Sequence, residues 1–486
     1  MPTRRRGLAA ARKSAGHTQE SLAAALKVDR STVIRWEAGD YAPLPYLRPK
    51  LARLLQQTPE QLRNLIDVNT FEAPASLSPD VDAACGWLDE QLGWTPGTSA
   101  WRVTARLPKT RRELPARRAR RARVPRSQVT SALKAYYGDD PDYFAYTANV
   151  AGREIETSIL TRPDWLDVQI PLTAETEHIT LVQSKSYDSS IDIEPEPALD
   201  RLAEVEVSGI RLTNEPIYRL LSAAMMPDGI HATVGLADFA EYALTMDLLE
   251  NELLDALAEK RTVERGSLPL RDRYLPTITS VIDLPSRLCA GGIVALSAIA
   301  RPAGPHRDAD YALLVQERSA LVVNATQQLT VIPKGFHQPL TDYEADTSLR
   351  TTLLREIEEE LFGRSDLDST IDSARAISPM HPRRMSEPMQ WLTSQEAGYL
   401  RLDSTGLGLN LVSGNFEFSC LAAIDAPTFW SRFAGHIEAN WETKGLRSCS
   451  SRDDHALTHL LTGKSWNNEG LFAFCQGLDR LQVDRT

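Results

Sequence analysis

Residues 18–39 read TQESLAAALKVDRSTVIRWEAG, two short helices with almost no chain between them. Thr18 offers a side-chain oxygen to cap the first helix, which Gln19 and Glu20 open and which runs to Leu26. Asp29 or Arg30 starts the second helix. Gly39 suits its end, because glycine accepts the left-handed backbone that closes helices. Leu22, Ala23, Val28, Val33 and Trp36 fall where two crossed helices bury apolar side chains against each other. Arg30, Ser31, Thr32 and Arg35 then project away from that shared core. Arginine can make bidentate hydrogen bonds to guanine, and serine or threonine can contact base edges or phosphate. Gln19 stands at a helix N-terminus, where amide and backbone N–H groups grip phosphate.

The flanking pattern predicts three more helices, over residues 5–15, 46–57 and 59–65, the last capped by Thr58 with Pro59 in its first turn. Charge sets this piece apart. Residues 1–67 hold 12 of the 54 Lys and Arg but only 6 of the 65 Asp and Glu, so a basic module precedes an acidic body in a chain of net charge -11. A local phosphate-contacting surface fits that balance, and a chain that coats nucleic acid along its whole length does not. The string TQ, LA, Val28 and TVIRWEAG, followed by Pro45 and the Leu47, Leu51, Leu54 series, resembles the Cro/Xre, lambda-repressor-like helix-turn-helix family. The resemblance spans residues 5–66, about one seventh of the chain. It implies an all-α domain that binds double-stranded DNA and regulates transcription, with Gln19, Arg30, Ser31 and Arg35 facing the duplex. Family members bind two half-sites as dimers, which implies a homodimer.

At 486 residues the chain is long enough for about three domains. Residues 68–127 read as a helical extension followed by an arginine-rich linker, RLPKTRRELPARRARRARVPR, interrupted by Pro108, Pro115 and Pro125. The alternative for that run is a second phosphate-contacting strip. Residues 128–284 read as a mixed α/β region of unknown role. It holds a hairpin turning at Ala151-Gly152 and one long helix over 239–257. Residues 285–486 read as α/β, with strands GGIVALSAIA, DYALLVQER, LTVIPKGF and FEFSCLAAI and an amphipathic helix over 348–361. The expected fold class is therefore multidomain. An all-α lambda-repressor-like DNA-binding domain comes first, then a mixed α/β middle region, then an α/β C-terminal domain. Five scattered cysteines without a CxxC pair predict free thiols. The N-terminus has no apolar signal run, and the weakly polar run 288–300 is too short to span a bilayer, so the expectation is a cytoplasmic protein without a membrane partner. His455 and His459 stand at i, i+4 with no third ligand in view and read as surface histidines.

The amphipathic helix carries REIEEELFG from Arg355 to Gly363. Leu349, Leu353, Leu354, Ile357 and Leu361 mark its buried face, and Glu356, Glu359 and Glu360 follow i, i+3, i+4 spacing on an adjacent one. Carboxylates so placed repel one another unless a hard cation sits between them, and Mg²⁺ accepts such a set and bridges to a diphosphate. The bland alternative is a charged helix with Glu358 and its neighbours solvated. The segment resembles the second half of the Nudix hydrolase box, Arg-Glu-apolar-x-Glu-Glu-x-Gly. The first half departs from it. Strict counting puts the box Glu on Thr347 and the box Gly on Thr341. Gly335 takes the glycine role if the loop carries about six extra residues, and Glu344 or Asp346 is then the candidate substitute acid. The closing glycine falls on Phe362, with Gly363 one place late. The resemblance implies a Nudix-like C-terminal domain that senses a nucleotide-type ligand, with a Mg²⁺-dependent pyrophosphohydrolase as the alternative. Glu356, Glu359 and Glu360 would be the catalytic and metal-binding residues of that enzyme.

Overall fold

The computed structural model describes residues 6–38, 43, 47–55, 57, 62, 77–166, 168–182, 193–305, 307–318, 328–364, 380–381, 384–394, 399–434, 437, 443–463 and 466–483. The chain forms two compact units, residues 1–77 and 78–486.

The first unit is helical: α1 (Arg6–Ser14), α2 (Gln19–Leu26), α3 (Arg30–Ala38) and α4 (Arg48–Leu54). The predicted cap is present. Thr18 Oγ1 accepts from the Ser21 amide while Ser21 Oγ accepts from the Thr18 amide, closing both ends of a capping box. Lys27 adopts the left-handed conformation at φ 58° and turns the chain into α3. Leu8, Leu22, Leu26, Val33, Trp36 and Leu51 form the centre of the core, with Val28 partly buried beside them. The Gly39 stop and most of the helix expected over 59–65 lie outside the described residues; Leu62 alone is described there, and it is buried.

The second unit opens with α5 (Pro79–Gln91), α6 (Thr98–Arg121) and α7 (Arg126–Tyr137). Here the structure departs from the linker expectation, because the arginine-rich run is one 24-residue helix with Pro108 and Pro115 inside it. A proline inside a helix costs ~3 kcal/mol. Both prolines lie on the exposed side, while Val103, Leu107 and Leu114 bury the opposite one. Ion pairs add to that packing. Arg106 meets Glu196 and Asp200, and Arg117 meets Glu204, all three acids on α8 (Pro195–Ser208). Arg121 holds Asp255 at 2.6 Å. The arginines are thus spent largely on neighbouring helices, although Lys109, Arg111, Arg120 and Arg123 remain exposed.

Strands β1 (Phe144–Val150) and β2 (Arg153–Thr161) form the expected hairpin, with Ala151 and Gly152 at positive φ in its turn. Next come β3 (Ile170–Pro171), β4 (Glu177–Leu181), β5 (Pro216–Met226) and β6 (Gly229–Asp238). The helix expected over 239–257 is two helices, α9 (Phe239–Ala243) and α10 (Leu248–Ala258). They part where Asp247, 2% exposed, turns inward to Arg201 at 2.5 Å. Short helices α11 (Pro269–Tyr274) and α12 (Ile278–Ile282) lead to β7 (Gly291–Arg301), β8 (Asp310–Arg318), β9 (Leu329–Val331) and β10 (Lys334–Phe336). Helix α13 (Leu349–Glu356) runs into a π-helical turn over Ile357–Leu361. Then follow α14 (Glu387–Ser394), β11 (Leu400–Asn410), β12 (Phe416–Ile424), α15 (Pro427–Phe433), β13 (Thr443–Ser450), α16 (Asp454–Leu461) and α17 (Asn468–Val483).

The main sheet runs β1-β2-β11-β12-β7-β8-β13, with β10 added to β7, β3 to β11 and β9 to β8. Its strands are antiparallel except for the parallel β12–β7 pair. The hairpin from the middle region and the strands beyond residue 285 therefore share one sheet. A second sheet, β4-β6-β5, pairs β4 with β6 in parallel. Along β7 and β12 side chains alternate between two cores. Ile293, Ala295 and Phe418 join Leu353 and Ile357 on one face, and Val294, Leu296 and Leu421 join Phe472 and Phe474 of α17 on the other. Helix α13 and helix α17 thus flank the sheet from opposite sides. No described helix is long and apolar enough to cross a membrane.

Candidate DNA-binding face and carboxylate helix

In the first unit, packing decides which side chains of α3 are exposed. Val33 and Trp36 are buried in the unit's core, which leaves Arg30, Ser31 and Arg35 exposed and Thr32 half-buried. Ile34 is 40% exposed on the same helix, an apolar side chain that core packing does not claim. The sequence pattern did not single it out; its place between Val33 and Arg35, off the buried stripe, is the signal that could have done so.

Beneath this surface lies a buried ion pair. Arg12 Nε donates to Glu37 Oε1 at 2.6 Å, and Arg12 Nη1 donates to the His17 carbonyl at 2.7 Å. Gln19 is tied to the same group, its Nε2 donating to Glu37 Oε2 at 2.7 Å. Gln19 is half-buried, so its amide braces α2 against α3 as well as standing at the α2 N-terminus. Charge-assisted bonds of this kind fix orientation, and here they lock the angle at which α3 is presented.

In the second unit, the carboxylates of the α13 helix are not solvated. Glu356, Glu358, Glu359 and Glu360 are 8%, 0%, 7% and 1% exposed. Each of those whose contacts are defined has a distinct partner. Glu358 accepts from Arg364 at 3.0 Å and from the Ser386 amide and hydroxyl at 2.5 and 2.6 Å. Glu360 accepts the Lys334 amide at 2.8 Å. Glu356 lies against Gly335: a Cβ added there would stand 2.1 Å from the Glu356 carboxyl carbon. A larger residue there would have to push the Glu356 carboxylate aside. Gly335, on β10, thus lies directly against the carboxylate helix. The helix ends in the π-helical turn, and Gly363, at φ 63°, follows it in the left-handed conformation.

Other groups complete the surroundings. Arg355 reaches Glu356 Oε1 at 3.2 Å and the Phe336 and Gln338 carbonyls at 3.3 Å, strapping the loop after β10 to the helix. His337, buried in this loop, meets Thr352 Oγ1 at 2.9 Å; burial, then the nearby Arg355 charge, pushes its pKa down to about 3, so the ring is neutral. Asp346 is committed to its own loop, one oxygen accepting from the amides of Leu340, Thr341 and Asp342. Glu344 is exposed. Among the described residues, Glu356, Glu359 and Glu360 are not a set of three converging ligand atoms. Beside β10 opens a cleft of about 40 Å³, lined by Lys334, Asn410, Glu417, Asn467 and Glu469, in which Lys334 Nζ holds Glu469 at 2.6 Å.

Residues 8–62 match the helix-turn-helix family of the Cro/C1 type. That match covers α1 to α4 with the capping box and the Glu37 network, and it points to DNA-binding transcription regulation. No curated protein matches the chain.

Proposed function

We propose that this chain is a sequence-specific transcription regulator in which α3 reads the major groove and the second unit carries a Nudix-like module that senses a nucleotide-type ligand. The observation that carries the first part is the α3 surface itself. Arg30, Ser31, Ile34 and Arg35 are exposed on a helix whose other side is locked by Trp36 and Glu37. Arg30 and Arg35 supply guanine-directed donors, Ser31 and Thr32 contact base edge or phosphate, and Ile34 meets a thymine methyl. Gln19 orients the pair of helices toward the phosphate backbone. Two copies of the chain on a two-fold operator would place two such helices one turn apart.

The Nudix-like reading is supported by the close approach of Gly335 to Glu356, the Lys334–Glu360 bond and the flanking of one mixed sheet by helices on both faces. Magnesium belongs to the hydrolytic version of that reading. The residues present do not fit it, since the three glutamates do not converge and Arg355 already neutralises Glu356. The second unit is therefore read as a binder. Its ligand acts on DNA affinity only through a difference in binding between two states of the protein.

A panel of nucleoside diphosphate compounds tests this. Wild type and Glu360→Gln should both lack magnesium-dependent hydrolysis, while at least one compound shifts operator affinity in the wild type. Magnesium-dependent turnover abolished by Glu360→Gln would replace the sensor with a pyrophosphohydrolase.

A further inference from the structure

We propose that His178, Asp228 and His231 form a binding site for a divalent transition-metal ion of the zinc class. His178 on β4 and His231 on β6 are register partners in the parallel β4–β6 pair. Their ring centroids are 4.5 Å apart with planes inclined by 40°. Asp228 lies in the turn between β5 and β6, and its Oδ1 is 3.1 Å from His231 Nε2. One ligand atom from each residue can be taken so that all three lie within 4.8 Å of one another, and all three side chains are exposed. Among the described residues no other group of three or more His, Cys, Asp or Glu has this property.

The spacing and the donor set both suit such an ion. A tetrahedral ion with bonds of about 2.1 Å separates its ligands by roughly 3.4 Å. The His231–Asp228 pair already stands near that separation, and rotation about the His178 side-chain bonds brings the third donor in. Two imidazoles and one carboxylate favour zinc, nickel or copper over magnesium, which prefers oxygen donors. Three protein ligands leave a fourth position for water or an incoming group.

The backbone beneath the site is held firmly. The Ile230 amide donates to the Thr176 carbonyl at 2.7 Å, joining the two strands at the base of the cluster. Glu177, the neighbour of His178, accepts from the Arg350 amide at 3.0 Å and the Ser348 hydroxyl at 2.6 Å. The strand that presents His178 is thus fastened to the N-terminus of α13, so binding needs to order only side chains and not the backbone that carries them. The sequence shows no sign of the site, because His178 lies 53 positions from His231, on a separate strand.

Zinc titration of the full chain in excess magnesium, followed by Co²⁺ substitution, tests the site. Wild type should take up one zinc per chain and give the visible absorption of tetrahedral cobalt. His178→Ala and His231→Ala should each weaken zinc binding by roughly tenfold or more and lose the cobalt bands. Glu259→Gln, an exposed acid outside the cluster, should bind as wild type does. Because all three ligands are exposed, the variants should keep the metal-free circular dichroism spectrum. Failure of the wild type to bind zinc would overturn the site, as would affinity within about twofold of wild type in both histidine variants. Neither result bears on the DNA or nucleotide readings.

Discussion

Helices α3 and α13 carry their polar residues in opposite senses. In α3 the arginines face water and the apolar side chains form the core, with one charged residue, Glu37, turned inward to Arg12. In α13 and its π turn the four glutamates at 356, 358, 359 and 360 are all buried. The difference lies in how many charged side chains are turned inward. Helix α3 packs on neighbours within its own unit of 77 residues, so its exposed face follows from local periodicity. The α13 carboxylates are turned inward as Glu37 is, with partners such as Lys334 and Ser386 at separations of 26 and 28 residues, against 25 for Arg12–Glu37, but they are four on one short stretch. A burial pattern of that kind depends on pairing that helical spacing does not encode.

The comparison can be broken at four points. The largest effect should come from Trp36→Ala, since removing a core indole costs ~3–5 kcal/mol. Calorimetry should show the first unit's transition falling while that of the second stays. Glu358→Ala comes next, because it leaves Arg364 and Ser386 without their acceptor. Breaking a buried ion pair costs ~3–5 kcal/mol, and the partial exposure of Arg364 places this at the lower end. Denaturant unfolding of the second unit reads it; an unchanged midpoint would mean that the carboxylate is dispensable for packing. Arg35→Ala should weaken selective DNA binding by ~1–3 kcal/mol and relax one position of the operator, read by competition binding against altered duplexes. The smallest effect at neutral pH concerns His337. Its folded-state pKa lies well below that of the unfolded chain, so the unfolded state binds more protons between about pH 6.5 and 3 and stability falls as pH drops through that window. His337→Gln should flatten that part of the stability–pH profile measured by thermal melts.

Legibility follows the same division. The capping box at Thr18, the core stripe through Trp36 and the exposed Arg30 and Arg35 were visible in the sequence because helix periodicity and capping are local. The long α6 helix was hidden by Pro108 and Pro115, which read as breaks. Burial of Leu107 and Leu114 and ion pairs to Glu196 and Glu204 outweigh two lost backbone bonds on the solvent side. The break between α9 and α10 was hidden for a related reason, since continuous apolar spacing gives no sign that Asp247 turns inward to Arg201. The amphipathic helix with its run of glutamates was visible in the sequence. Gly335 was named there as one of two glycine candidates, but its contact with Glu356 was not legible, because it rests on the approach of β10 across 21 positions of sequence.

Selection of bound duplexes from a random-sequence pool, with the full chain and with an Arg30→Ala/Arg35→Ala variant, tests most directly whether α3 reads DNA. A defined motif for the wild type, with guanine preferences lost in the variant, is the expected result. No enriched motif for the wild type, or the same motif for both proteins, would contradict it.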